Sequence, residues 1–144
     1  MGFDLHREDA TEHEYFRFSI WGFPPIRFLA EAFGWEPEGC VATWEDDDGN
    51  EKSIDCWYDT NDGQVVTAED AQEWANALKD VIKAGVIPKE SNHPESRKID
   101  DEFMAERHLI WNGDVEACAN YWAGQEDYVE QFIEFLEEGE FRIY

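Results

Sequence analysis

The segment EDYVEQFIEFLEEGEFRIY, Glu126 to Tyr144, decides the fold class. Tyr128, Val129, Phe132, Ile133 and Leu136 recur at helical spacing and share one side, which predicts a helix over about 126–138. Gly139 stops it, and the β-prone FRIY returns as a strand. A helix that turns straight back into a strand needs a sheet for that strand to join. The opening residues supply one candidate. GFDLHR, residues 2–7, sets Phe3 and Leu5 against Asp4 and His6 in the alternation of a half-buried strand.

Between these ends the chain reads as further short elements. The lead-in YFRFSIW is strand-like or irregular, and Pro24 and Pro25 open a helix over about Pro25 to Phe33, with Gly34 as its stop. Ile26, Leu29, Ala30 and Phe33 form its inward face. CVATWEDDDGNEKSIDCWYD predicts a hairpin turning at Asp48, Gly49 and Asn50. YDTNDGQ reads as a loop. VVTAEDAQEWANALKDVIKAG is the clearest helix: Thr67 is the N-cap, Asp70 lies three residues on, Ala71, Trp74, Leu78, Val81 and Ile82 line one face, and Gly85 ends it. IPKESNHPESRK reads as a polar linker. IDDEFMAERHLIW fits a helical face only in part. Asp114 caps a short helix VEACANYWA that ends at Gly124. The expectation is one α+β domain over residues 1–144, a short antiparallel sheet including the N- and C-terminal strands packed with three to four helices.

Charge is the other governing fact. The chain has 35 Asp and Glu against 11 Lys and Arg, a formal net charge of −24 over 144 residues. Seven Trp, ten Phe and five Tyr supply a heavy apolar payload, so this acidity belongs to a folded protein rather than a disordered one. A globule of this length is roughly 35–40 Å across, and duplex DNA of that length carries about 20–24 charges. Such a charge opposes direct binding to nucleic acid or anionic lipid. No apolar run approaches a membrane span and the N-terminus lacks the layout of a secretory signal, so the cytoplasm is the expected compartment. Cys40, Cys56 and Cys118 are odd in number and widely spaced, a pattern of reduced thiols.

The last helix concentrates the acidity. Glu126, Glu130, Glu134 and Glu138 stack at i, i+4 spacing, and Asp127 and Glu137 flank them with no Lys or Arg inside the helix. Like-charge pairs and acids at the negative end of the macrodipole together cost roughly 1–3 kcal/mol. Burial of the apolar face offsets that cost. The six acids span ~18 Å at the helical rise, about one per 3 Å, close to the phosphate spacing of about 3.4 Å along one DNA strand. A basic groove can read such a ridge as a backbone. Asp46, Asp47 and Asp48 form a second acidic patch.

Four stretches, MGFDL, EYFRFSIWGFPP, TAEDAQEWANAL and FIEFLEEGEFRIY, together resemble a family of small uncharacterised phage and prophage proteins. Its members begin with a similar MGFD segment and a Tyr-Phe-Arg and Trp-rich stretch, carry an acidic-capped Ala-rich helix, and end in a Phe-containing helix, a Gly turn and a short strand. The resemblance touches both ends and the middle, while residues 40–60 and 86–115 match nothing in it. It implies no established activity and no catalytic residues, and the extreme negative charge departs from it.

Catalytic and metal signatures are missing from the sequence. His6, His13, His93 and His108 show no HxH or HExxH spacing, no CxxC accompanies them, and phosphate-cradling and nucleophile-elbow motifs are lacking. Read as calcium loops, the registers set by Gly49 and Gly63 put Trp44 and Tyr58 where the first carboxylate belongs. The expected function is therefore non-enzymatic, without metal or cofactor. Glu126, Asp127, Glu130, Glu134, Glu137 and Glu138, with Asp46 to Asp48, would bind and inhibit a basic host protein, a nuclease or other nucleic-acid-binding defence protein, by nucleic-acid mimicry. Two alternatives stand beside it. One is an accessory or structural protein making contact through Trp21, Phe23 and Trp35; the other is a small enzyme with a cleft near Cys118 or the histidines.

Overall fold

The computed structural model describes residues 2–7, 15–59, 63–90 and 101–144. The loop at 8–14 and most of the polar linker, from 91 on, fall outside the described residues, as do His13 and His93. The architecture is α+β, with a four-stranded antiparallel sheet, a separate hairpin and five helices among the described residues.

The sheet is built from both chain ends. Strand β1 (Gly2–His6) pairs antiparallel with β2 (Tyr15–Ser19) on one side, Phe3 opposite Phe18 and Leu5 opposite Phe16. The hairpin strands β3 (Cys40–Glu45) and β4 (Glu51–Cys56) follow helix α1 (Phe23–Ala32) and form their own two-stranded sheet. Next in the chain comes β5 (Gln64–Val66), and the last element is β6 (Phe141–Ile143). The order in space is β2-β1-β6-β5, so the first and last strands are the two central ones. Val66 was expected to precede a helix cap, and it does; the loop expected up to Gln64 ends instead in β5. Three residues are too short to show an alternation, and their strand character comes from pairing with β6, Gln64 opposite Ile143 and Val66 opposite Phe141.

Helix α2 (Ala68–Ala84) has the cap its sequence announces: Thr67 Oγ1 accepts from the Asp70 amide at 3.2 Å. At its other end Gly85 takes φ +70, a left-handed conformation that L side chains avoid. Asp70 does not reach back to complete a capping box. It is fully buried, and its carboxylate accepts from Trp35 Nε1 at 2.9 Å, Tyr58 OH at 2.5 Å and the Glu38 amide at 3.2 Å. A carboxylate with three donors is a satisfied core group. Two of the donors, Trp35 and Tyr58, belong to a parallel aromatic stack in which Trp35 lies 4.3 Å from Trp74 and Tyr58 lies within 6.4 Å of both.

Helix α3 (Asp101–Trp111) settles the segment whose face was undecided. Its buried positions are Phe103, Arg107 and Ile110, at i, i+4 and i+7, while Leu109 and Trp111 face solvent. An arginine on the inward face and two apolar residues on the outward one erase the amphipathic signal. Arg107 is accommodated by aromatic faces, its guanidinium 4.6 Å from the Phe103 ring centroid, 4.9 Å from Tyr121 and 5.4 Å from Trp21. Helix α4 (Val115–Tyr121) starts where expected, with the Asp114 carboxylate accepting from the Ala117 amide at 2.8 Å.

Helix α5 (Glu126–Glu137) buries Val129, Phe132, Ile133, Phe135 and Leu136 against α2 and β2. Tyr128, expected inside, is half-buried, and its hydroxyl donates to the Arg17 carbonyl. Phe135 is the inward residue the spacing argument overlooked. It meets Phe16 and Phe141, one ring from each of the two strands α5 covers or leads into. No helix among the described residues is long and apolar enough to cross a membrane.

The buried carboxylate yields a stability prediction. Tyr58→Phe removes one of three donors from Asp70 without changing packing volume, and the expected loss is about 1–2 kcal/mol in urea unfolding. Asp70→Asn turns an amide N–H toward those donors and should cost more, roughly 2–4 kcal/mol.

Candidate acidic interface

The spacing that buries one side of α5 leaves the acids on the other. Asp127, Glu130, Glu134, Glu137 and Glu138 are exposed and Glu126 is half-buried. The helix has no side-chain N-cap, two acids in its first turn and no basic residue in its last. Its amino-terminal acids sit well against the positive end of the macrodipole, whereas Glu137 and Glu138 sit against the negative end.

Cations from elsewhere meet that unfavourable end. Lys79 Nζ on α2 lies 2.8 Å from Glu137 Oε2. Arg7, just past β1, is 7% exposed and donates through Nη2 to the carbonyls of Phe135 at 2.7 Å and Gly139 at 3.0 Å, and through Nε to Glu140 at 3.3 Å. The guanidinium also lies 4.4 Å from the Phe135 ring centroid. Burial lowers its affinity for the proton, and the nearby charge of Glu138 acts the other way. Arg7 therefore serves as a carboxy-terminal cap delivered from a strand.

The ridge is consequently uneven. Its carboxy-terminal end, Glu137 and Glu138, is shadowed by Lys79 and Arg7. No ion pair within 4.0 Å engages Glu126, Asp127, Glu130 or Glu134 among the described residues. The open stretch from Glu126 to Glu134 covers ~12 Å. Beside it runs an open groove of about 360 Å³ between α2 and α5, with Glu130 and Glu134 on one wall, Lys79 and Lys83 on the other, and Ile82 and Ile133 also lining it.

The second acidic patch is smaller than its sequence suggests. Asp46 Oδ1 accepts from the amides of Asp48 at 3.0 Å and Asn50 at 2.8 Å, and Oδ2 lies 4.0 Å from Lys52 Nζ. Asp46 is thus the residue that builds the turn, in the Asx manner. Asp47 and Asp48 are exposed at its tip. The hairpin packs by β5, while α5 packs on α2 and β2, so the two patches ride on separate parts of the fold.

The aromatic alternative loses two of its three residues as contact groups. Phe23 and Trp35 are core side chains, because Phe23 begins α1 facing inward and Trp35 joins the stack on Asp70. Trp21 is half-buried and stacks at 6.5 Å on Trp111. Large apolar exposure lies instead at Ile20, Leu109, Trp111 and Val115, and at Trp44 and Trp57 on and beside the hairpin.

Cys118 is fully buried, its Sγ 4.0 Å from the Ile110 carbonyl, and its pKa is pushed up to about 12 by burial first and the charge of Asp114 second. It is a thiol throughout the physiological range, without the thiolate a nucleophile needs. His6 lies on the solvent face between Tyr15 and Tyr144, and His108 lies edge-on to Trp111. Among the described residues no three His, Cys, Asp or Glu side chains gather as a metal site. Comparison with protein-family models, curated proteins and solved structures found no match.

A pH prediction follows from Cys118. Its folded pKa lies above the ordinary 9.0, so the unfolded chain gives up this proton first. The contribution is complete below about pH 9 and is lost as pH rises toward 12, by up to ~1.4 kcal/mol per pH unit. Urea unfolding between pH 8 and pH 11 should show this slope, and Cys118→Ala should flatten it relative to the parent chain.

Proposed function

We propose that this chain is a non-enzymatic, acidic binding protein of phage type that occupies the nucleic-acid groove of a basic host protein, such as a defence nuclease. The observation that carries this reading is the row of Asp127, Glu130 and Glu134, exposed to solvent, with half-buried Glu126 at its head, none of them in an ion pair among the described residues. The net charge of −24 adds long-range attraction to a basic partner and repels nucleic acid itself. Resemblance of both chain ends and the central helix to small phage and prophage proteins supports a partner in the host cytoplasm. Asp47 and Asp48 form a lesser patch on a different element and extend the contact only for a partner broad enough to span both.

The second reading is an accessory protein that docks through apolar surface. It is favoured by Ile20, Leu109, Trp111 and Val115, large apolar residues exposed on and around α3 and α4. Salt separates the two readings, since electrostatic docking weakens steeply with ionic strength and apolar docking does not.

Titration against a panel of purified basic nucleases and DNA-binding proteins tests the proposal. Binding should weaken at least tenfold from low to high salt and be displaced by duplex DNA. The combined variant Glu126→Gln, Asp127→Asn, Glu130→Gln, Glu134→Gln should lose roughly tenfold or more in affinity. Undiminished binding by that variant, with its circular dichroism unchanged, would rule this surface out.

A further inference from the structure

The groove of about 360 Å³ between α2 and α5 carries opposite charges on its two walls, Lys79 and Lys83 on one and Glu130 and Glu134 on the other. The facing charges do not meet. Lys79 turns to Glu137 at 2.8 Å, and neither Lys83, Glu130 nor Glu134 is in an ion pair among the described residues. Each wall repeats its charge at i, i+4, about 6 Å along the helix axis. Between the walls lie Ile82, half-buried, and Ile133, which is 5% exposed. The groove is therefore a strip of apolar surface between two charged rails of opposite sign.

That sign pattern limits what can cover it. A uniformly basic surface, of the kind that reads phosphates, is drawn to Glu130 and Glu134 but meets Lys83 with like charge. A surface with cations on one flank, a large apolar side chain in the middle and an acid on the other flank satisfies all three. An amphipathic helix presents such rows at i, i+3 and i+4, the same spacing as the walls. The groove between two packed helices is also where a third helix seats its ridge of side chains. Being open rather than enclosed, it suits a segment laid along it more than a small molecule held within it.

We infer that the groove between α2 and α5 docks one amphipathic helix of the basic partner, with the partner's cations on Glu130 and Glu134, an apolar side chain on Ile82 and an acid on Lys83. The inference rests on the reading of this chain as a binder of a basic protein, and adds to it a means of choosing among such proteins. The acidic row supplies attraction that any basic surface feels. Ile82 and Lys83 decide which surface stays bound, since a helix with cations on both flanks leaves Lys83 opposed by like charge.

Two synthetic helical peptides of about 18 residues, titrated against the full chain by fluorescence anisotropy, test the inference. Both carry a leucine stripe and equal numbers of arginine and glutamate. The first has all its arginines on one flank of the stripe and all its glutamates on the other; the second mixes both along both flanks. The first should bind about tenfold more tightly than the second. Lys83→Glu should weaken the first peptide about fivefold or more, although it makes the chain more acidic. Ile82→Gln should weaken it about as much with circular dichroism unchanged. Equal affinity for the two peptides, binding of neither, or tighter binding of the first by Lys83→Glu would overturn the inference. If Lys83→Glu and Ile82→Gln bind the first peptide like the parent chain while Glu130→Gln with Glu134→Gln weakens it, the docked helix fails and the acidic-row reading stands. If that double variant also binds like the parent chain, both fail.

Discussion

One guanidinium joins the two ends of this chain. Arg7 leaves strand β1 and places its donors on the carbonyls of Phe135, Gly139 and Glu140, where α5 ends and turns toward β6. Strand β6 then pairs with β1 itself, Leu5 opposite Ile143 and His6 opposite Arg142. The same few residues therefore fix the first strand, the end of the last helix and the register of the last strand. A helix whose final turn holds Glu137 and Glu138 and no basic residue leaves its last carbonyls facing like charge. Arg7 supplies the missing positive charge from a position more than a hundred residues away, and Phe135 beneath its plane keeps water from competing.

This arrangement explains how the fold tolerates an acidic helix. The inner side of α5 buries five large apolar residues, and its problematic end is neutralised by Arg7 and by Lys79 on Glu137. What remains unbalanced is the stretch from Glu126 to Glu134. Glu126 and Asp127 suit the amino-terminal end of the helix, but among the described residues none of the four acids is in an ion pair. A row of acids that no ion pair engages is the natural place to look for a partner, and the proposed contact with a basic groove rests on that asymmetry.

How far the sequence could be read depended on whether the deciding interaction was local. Thr67 and Asp114 cap the helices they precede, the Asp48-Gly49-Asn50 turn reverses the hairpin, and the opening strand alternates; each signal lies within a few residues. Three features were not legible because their causes are tertiary. Strand β5 exists through pairing with β6, α3 turns an arginine inward onto three aromatic rings, and Phe135 is buried because Phe16 and Phe141 come to meet it. The acidic face of α5 follows from 3.6-residue spacing and was fully visible. Its shielding by Lys79 and Arg7 was not, since it depends on how distant segments register. The turn-building role of Asp46 was hidden for a different reason: an aspartate that forms a turn and one that faces a partner look alike in sequence.

The tie between Arg7 and the end of α5 is measured most directly by urea unfolding of Arg7→Met. Methionine keeps the apolar contact with Phe135 but takes the guanidinium donors from the carbonyls of Phe135, Gly139 and Glu140, of which Phe135 keeps only the Glu138 amide. The predicted loss is about 2–4 kcal/mol, with faster amide exchange in the last turn of α5 and in β6. Stability within about 0.5 kcal/mol of the parent chain, a range ordinary for an inconsequential surface change, together with unchanged exchange there, would contradict it.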